Sequence, residues 1–362
     1  MERLAVAEDD AKGRQVAARD VPVTGGTIEE VLCRTDILEL VQRAGGQPRQ
    51  TSGGYHCSCP LHHGDNPTAF SIYREDGKQK WKCWTHDCGG GDVLDFVMAW
   101  QGINFVQAIE YLGGTRIVDR GEVARLAAER AERAAKDLQT QIDKAQKILT
   151  ELREAQTWIK YHNELDAEPE RRQLWEARGI PEVWQDLWYL GYAPSFTCST
   201  SLGYWTTPTL SIPIFEEDNP NTPISLRHRL LNPPTPKDKY RPDRAGLKSA
   251  PFVCIPEDRP ENVLVVEGEI KAMVTYLALD SIKWQVIGLA GKCQYRNIIP
   301  QLQGRQVVIC LDPDAMPQAL DLARQVNGRV MDLCEKIDDA ILAGMIDKDM
   351  LRCMIRQARK VK

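Results

Sequence analysis

The sequence predicts a multidomain α+β protein: a small ribbon stapled through cysteine and histidine, a helical linker, a basic α/β subdomain, and a closing α/β domain with a mainly parallel sheet. Three observations carry this reading. Short-spaced cysteines and histidines gather between positions 57 and 88, residues 118 to 160 hold one glycine and no proline, and after position 262 four apolar runs alternate with helix-compatible stretches. The chain has 362 residues, enough for two or three separate cores. With 46 Lys and Arg against 51 Asp and Glu, the net charge of -5 argues against a wholly basic nucleic-acid binder while leaving room for local basic patches. At 43% hydrophobic and 27% charged residues, with no long apolar run, the sequence excludes membrane-spanning, collagen-like and wholly disordered classes. The N-terminus has acids where a secretion signal needs a basic and then an apolar stretch, so the expected location is the cytoplasm. Eleven cysteines in such a chain point toward metal binding rather than a disulfide framework.

In chain order, residues 1 to 27 are polar and form an expected flexible leader. Thr27-Ile28-Glu29-Glu30 is a capping-box pattern, and Val31, Ile37, Leu38 and Val41 predict a short amphipathic helix stopped by Gly45-Gly46. Thr68 to Tyr73 and Lys80 to Cys83, around Glu75-Asp76-Gly77-Lys78, predict a β-hairpin. Val93 to Met98 and a second stretch to Leu112 predict helices, ended by Gly113-Gly114. The following segment, with Val123, Leu126, Ile142, Ile148 and Leu152 on a charged background, predicts a long helix or helical pair whose charges form a solvated face. Short strand-like runs such as Ser211 to Phe215 and Ile224 to Leu226 come next. Val263-Leu264-Val265-Val266, Gln285 to Leu289, Gln306 to Cys310 and Arg329 to Leu333 then predict βαβ units with both sheet faces covered.

Cys59 and His62 form a C-x2-H pair, and Cys83 and Cys88 a C-x4-C pair. Two such pairs on separate turns can close a four-ligand tetrahedral shell around a structural zinc, with no open position for substrate. Cys57 is an alternative to Cys59, and His86 to Cys88. Tyr55, Phe70, Tyr73, Trp81 and Trp84 are interleaved with Arg74, Lys78, Lys80 and Lys82, a mixture suited to stacking bases and tracking phosphates of single-stranded nucleic acid. The competing use of the same aromatics is as the core of a very small domain.

Glu267, followed by Gly268-Glu269, ends one apolar run, and Asp312-Pro313-Asp314 ends another. Strand ends of a parallel sheet are where ligands bind, so these carboxylates are expected to converge as a Mg²⁺ or Mn²⁺ site that neutralises phosphate charge during transfer. Asp332, Asp338 and Asp339 are candidates for a further ligand. Residues 224 to 249 carry Arg227, Arg229, Lys237, Lys239, Arg241, Arg244 and Lys248 against two acids, a patch suited to phosphates of a template or nucleotide.

Taken in order, these motifs resemble the bacterial, DnaG-type DNA primases from about residue 31 to 345. Cys59-Pro60-Leu61-His62 through Cys83 and Cys88, with Asp92, Asp95 and Phe96, resembles the family's CHC2 zinc-binding domain. Arg178-Gly179-Ile180 and Leu190 to Pro194 resemble the helix and turn opening its polymerase core. Ile212-Pro213-Ile214, Arg227 to Leu231 and Lys239-Tyr240 resemble its basic subdomain, and Glu267-Gly268-Glu269 with Asp312-Pro313-Asp314 resembles the Toprim domain. The resemblance implies a leader at 1–27, a CHC2-type domain at 28–115, a helical linker at 116–165, a basic subdomain at 166–258 and a Toprim catalytic domain at 259–362.

It also implies a function: joining ribonucleoside triphosphates into short RNA primers on a single-stranded DNA template. Glu267, Asp312 and Asp314 would act with Mg²⁺ or Mn²⁺, and Cys59, His62, Cys83 and Cys88 would hold zinc. Arg227, Arg229, Lys239, Arg241, Lys248, Trp81 and Trp84 would contact nucleic acid or nucleotide. Two other readings share parts of this set: a Toprim nuclease, and a non-catalytic single-stranded DNA-binding adaptor. The sequence departs from the family in its C-x4-C knuckle and in Lys271, which stands where primases usually carry an Asp. It also stops soon after the Toprim strands, which implies a compact phage, plasmid or mobile-element form acting in a replication complex with a separate helicase.

Overall fold

Each predicted ladder and helix has a local cause in the sequence, and the chain assembles them into two compact units that divide between Glu132 and Arg133. The computed structural model describes residues 28–51, 53–64, 66–85, 88–114, 120–200, 202–216, 219–254 and 260–361. The expected leader, the Thr27 cap and His86 lie outside the described residues.

The first unit opens with two short helices, Ile28–Arg34 and Ile37–Arg43, where the sequence predicted one. The break is at Asp36. Its carboxylate accepts from the Leu38 N–H at 2.9 Å in extended backbone, which caps a second helix instead of continuing the first. Strands Arg49–Thr51, Gly54–Cys57, Phe70–Glu75, Lys78–Cys83 and Gly90–Gly91 form an antiparallel sheet in sequence order. The predicted hairpin turns at Asp76-Gly77, both with positive φ, as a tight turn matched to strand twist requires. Helix Val93–Gln101 follows, with a reciprocal Asp92/Asp95 capping box, and then helix Phe105–Tyr111 under Asn104 and Gln107. Arg130 pairs with Asp92 at 2.5 Å and with Asp95 at 2.8 Å.

Phe70, Trp81 and Phe96 fill the middle of this unit. Phe70 and Trp81 stack at 5.2 Å, and each meets Phe96 edge-on. Trp81 is 1% exposed, and its indole N–H donates to the Asp92 carbonyl at 3.0 Å. The expectation that Trp81 stacks bases is therefore corrected: a domain this small spends its largest ring on its own core.

Helix Arg120–Glu154 carries the chain across the division. Exposed charges line its middle, and Leu152 near its end is fully buried with Trp158, Leu226 and Leu247. In the second unit, helices Thr157–Asn163, Pro169–Glu176 and Glu182–Leu187 precede a four-stranded antiparallel sheet in sequence order: Gly191–Thr200, Gly203–Glu216, Asn219–Leu230 and Tyr240–Pro242. These strands are longer than the short runs the sequence suggested, and Leu190 to Pro194 lead into a strand rather than a turn.

The last sheet runs in the order Phe252–Cys254, Trp284–Leu289, Asn262–Glu267, Gln306–Cys310, Arg329–Val330, Arg359–Lys360. Its four middle strands are parallel and its two edges antiparallel. Leu264 and Val266 face one core with helix Glu269–Leu279, while Val263 and Val265 face another with helix Met316–Val326. Because all four are fully buried, the run shows no alternation in sequence, and each side chain contributes roughly 1.5–3 kcal/mol of burial.

Candidate metal centres and cleft

The cysteine and histidine cluster forms where the ribbon's strands end. Cys83 is the last residue of its strand, and the Cys83 N–H donates to the Gly89 carbonyl at 3.0 Å. Cys59 and His62 sit in the turn after strand Gly54–Cys57. Ligand atoms of Cys59, His62, Cys83 and Cys88 all lie within 4.8 Å of one another. His62 Nδ1 is 3.1 Å from Cys88 Sγ and 3.7 Å from Cys83 Sγ. Zinc–sulfur bonds of about 2.3 Å in a tetrahedron demand ligand separations of just this order, and three thiols with one imidazole are a zinc-type donor set. Burial pulls the His62 imidazole down, but the Cys59 and Cys83 sulfurs outweigh it and hold it up to about 9. Cys57 lies outside the cluster. Its thiol is buried beside Gly46, and burial together with Cys59 pushes it up to about 11.

On the ribbon's other face the strand register places Arg49, His56, Ser71 and Lys82 in one row, and Tyr73 beside Lys80 in the next. Trp84 is 65% exposed, and its indole N–H donates to Ser71 Oγ at 2.7 Å. Ser71 Oγ in turn lies 3.1 Å from His56 Nδ1. An exposed indole is thus held in a fixed position beside lysines.

In the second unit Glu267 ends its strand, and Gly268 at φ 98° turns the chain into helix Glu269–Leu279, a backbone geometry that a side chain at this position would strain. Asp312 follows strand Gln306–Cys310, and its carbonyl accepts from the Ala315 N–H at 2.8 Å, closing the tight turn that carries Asp314. Carboxylate oxygens of Glu267, Asp312 and Asp314 come within 4.8 Å of one another. Lys271, in the first turn of the helix, places Nζ at 2.5 and 2.6 Å from the two oxygens of Asp312. Hard oxygen donors gathered at a strand edge are the donor set for Mg²⁺ or Mn²⁺.

A cleft of about 190 Å³ opens beside this cluster. Glu267, Glu269 and Lys271 line it together with Arg178, Arg227, Arg229, Lys239, Tyr240, Lys336, Asp338 and Asp339. Of the predicted phosphate-binding residues, Arg227, Arg229 and Lys239 reach the cleft, whereas Arg241 and Lys248 are not among its lining. Arg241 turns to the opposite side of its strand, donating to the Ser199 and Tyr240 carbonyls and to Asp238, and Lys248 is exposed. Asp338 and Asp339 are in the cleft, and Asp332 is not.

The cleft's arginines are positioned by the strand that bears them. Arg227 and Arg229 flank the Tyr240 ring at 5.1 and 5.5 Å, and Arg229 donates to the Tyr240 hydroxyl at 2.9 Å. Arg227 also pairs with buried Glu269. Between them His228 points the other way, stacked on Phe196 at 3.8 Å, with Nδ1 2.7 Å from Thr209 Oγ1 and Nε2 3.0 Å from Asp243 Oδ1. Burial pulls the His228 imidazole down despite Asp243, so the neutral ring donates from Nε2 and accepts at Nδ1. That anchor fixes the pleat that turns both arginines toward the cleft.

Crowding of like charge leaves its mark. Burial pulls the Lys239 ammonium down, and Arg229, Lys336, Arg178 and Lys271 pull it further. Burial and then Arg229 lower Arg178. Burial pushes the Asp338 carboxyl up, against the opposing charge of Lys271. Such a concentration of cations is relieved by an anion. In the sequence Arg178, Tyr240 and Glu269 stand out only as members of motifs, and Lys336 does not stand out at all.

Residues 23–122 match the family model described as the CHC2 zinc finger of DnaG. Among curated proteins, the DNA primase of Thermotoga maritima is 29% identical over 168 residues, 46% of this chain and 26% of that protein. Over these stretches the chain is similar to the DnaG-type DNA primases. The Pasteurella multocida primase is 34% identical over 88 residues, 24% of this chain and 14% of its own length. A solved structure of the Aquifex aeolicus primase, with its zinc-binding and RNA polymerase domains, covers 92% of this chain and 86% of its own at 20% identity, with a TM-score of 0.45. The chain spans about a quarter of the length of the first of these curated primases. Among the described residues, no helix is long and apolar enough to cross a membrane.

Proposed function

We propose that the chain is a template-directed primase that joins ribonucleoside triphosphates on single-stranded DNA. One observation carries the reading: three carboxylates from two adjacent parallel strands stand at the edge of a cleft lined by Arg178, Arg227, Arg229 and Lys239. That combination suits phosphoryl transfer better than binding alone, because a simple anion receptor gains nothing from carboxylates beside the phosphate. Glu267, Asp312 and Asp314 would hold Mg²⁺ or Mn²⁺, which when bound neutralises charge developing on the transferring phosphate. The guanidiniums and Lys239 grip the triphosphate. Glu267, at the strand edge, receives the proton as the primer 3′-hydroxyl oxygen attacks the α-phosphorus, and pyrophosphate leaves toward the cationic wall. In the first unit Cys59, His62, Cys83 and Cys88 hold zinc, and the outer face bearing Trp84, Tyr73, Lys80 and Lys82 takes template bases and phosphates.

Incubating the protein with single-stranded DNA, divalent metal and labelled ribonucleotides tests this directly. Short labelled RNA that requires both template and metal is the expected product. Loss of template with no synthesis would install the nuclease reading, and binding without chemistry the adaptor reading.

A further inference from the structure

We propose that Asp338 is a positioning residue for metal loading: it receives the Lys271 ammonium when a divalent ion displaces that ammonium from Asp312. The inference rests on the reading of Glu267, Asp312 and Asp314 as metal-binding carboxylates, and it adds how a lysine can stand beside them without closing the site.

Lys271 engages a carboxylate that the metal needs. Its Nζ lies 2.5 and 2.6 Å from the two oxygens of Asp312, and the two side chains are 14% and 13% exposed. Water shields such a pair little, so a divalent ion reaching Asp312 competes with the ammonium for the same oxygens. Driving a lysine off a shielded carboxylate is unfavourable when the ammonium is left without a partner, and much less so when a second carboxylate is within reach.

That second carboxylate is Asp338. Helix Ile337–Leu342 packs against helix Glu269–Leu279, with Ile337 and Ala340 sharing a core with Ile270 and Val274. This packing brings Asp338, next to Ile337, and Lys271, next to Ile270, to the same cleft. Asp338 Oδ1 is buried, and among the described residues no group completes a hydrogen bond to it, although the Asp338 and Asp339 N–H groups lie near the carboxyl. A buried carboxylate oxygen left over in this way is a ready acceptor. Burial pushes the Asp338 carboxyl up, and the Lys271 charge is the largest influence opposing that push, so the ammonium already acts on Asp338 from its place on Asp312. The flexible four-carbon stem of a lysine lets its head group pivot between two acceptors while the helix stays where it is.

Titrating Mn²⁺ into the full zinc-loaded chain, with free Mn²⁺ followed by electron paramagnetic resonance, tests the hand-over without reference to activity. Asp312→Asn identifies which ion is bound at the cluster. Lys271→Ala should bind that ion on the order of tenfold tighter than the parent, because the competing ammonium is gone. Asp338→Asn should bind it on the order of tenfold more weakly, and Asp338→Glu should keep the parental affinity. In the Lys271→Ala background, Asp338→Asn should change the affinity by no more than about twofold, since Asp338 then has no ammonium to receive. Circular dichroism confirms that each variant is folded, and Asp338→Ser takes the place of Asp338→Asn if the latter is not. Equal losses from Asp338→Asn in both backgrounds would show that Asp338 acts on the ion directly and would overturn the proposal. Parental affinity in Asp338→Asn, or no tightening in Lys271→Ala, would overturn it as well, each leaving the carboxylate site in place. An absence of Mn²⁺ at the cluster in both the parent and Lys271→Ala would overturn the carboxylate reading together with the proposal.

Discussion

At Trp81 and Trp84 the same side chain does opposite work three residues apart. Trp81 is sealed against Phe70 and Phe96, and Trp84 stands 65% exposed with only its N–H engaged. Trp81→Ala should therefore cost about 3–5 kcal/mol of stability, measured by thermal melting of the zinc-loaded protein. Trp84→Ala should leave the melting temperature in place and weaken single-stranded DNA binding by about 1–3 kcal/mol, measured by fluorescence anisotropy. Equal melting losses in the two variants would contradict the assignment. In the cleft, Glu267→Gln, Asp312→Asn and Asp314→Asn remove charge without removing volume. Each should lower primer synthesis by several kcal/mol in transition-state stabilisation while DNA binding by the ribbon persists. Parental synthesis rates in both Asp variants would leave the carboxylates without a role. The cysteine spacings and strand-end acids behind these assignments are local, and the sequence displayed them. The Lys271–Asp312 and Arg227–Glu269 pairs join residues some forty positions apart, on elements whose adjacency only the sheet order creates, so no window of sequence contained them.

Among the elements, helix Val93–Gln101 depends most on one side chain. Asp92 accepts from the Leu94 and Asp95 N–H groups and pairs with Arg130. Burial alone would raise its carboxyl, but Arg130 more than offsets this and holds it below the ordinary range. A depressed folded-state value means that this stabilisation is complete above the unfolded carboxylate's value of about 3.9 and is lost as pH falls through the folded one. Asp92→Ala should destabilise the first unit by about 1–2 kcal/mol near pH 7, and the gap between parent and variant should narrow below about pH 4. Parallel melting curves across that range would remove Asp92 from the account. Elements differed in legibility for physical reasons. Val263 to Val266 read as a strand because both faces are buried, and Asp76-Gly77 read as a turn because few residues adopt its backbone. The helix break at Asp36 was missed because the apolar spacing of Val31, Ile37 and Val41 suits one helix as well as two, and only the cap distinguishes them.

For the whole molecule, the two units hold themselves together by different means. The first gathers its strand ends on four sulfur and nitrogen atoms, and the second buries continuous apolar runs on both faces of a sheet. Chelation of zinc at neutral pH should therefore unfold the first unit and leave the second protected, which hydrogen exchange resolved by segment would display. Simultaneous loss of protection in both would show that they unfold as one. The strand orders also differ: neighbours in the ribbon sheet are consecutive in the chain, whereas strand Asn262–Glu267 must find both Trp284–Leu289 and Gln306–Cys310 across intervening helices. Closing short loops is fast and closing long ones slow. During refolding with zinc present, amides of Phe70–Glu75 and Lys78–Cys83 should become protected well before those of Asn262–Glu267, so the carboxylate cluster is among the last features of the molecule to exist.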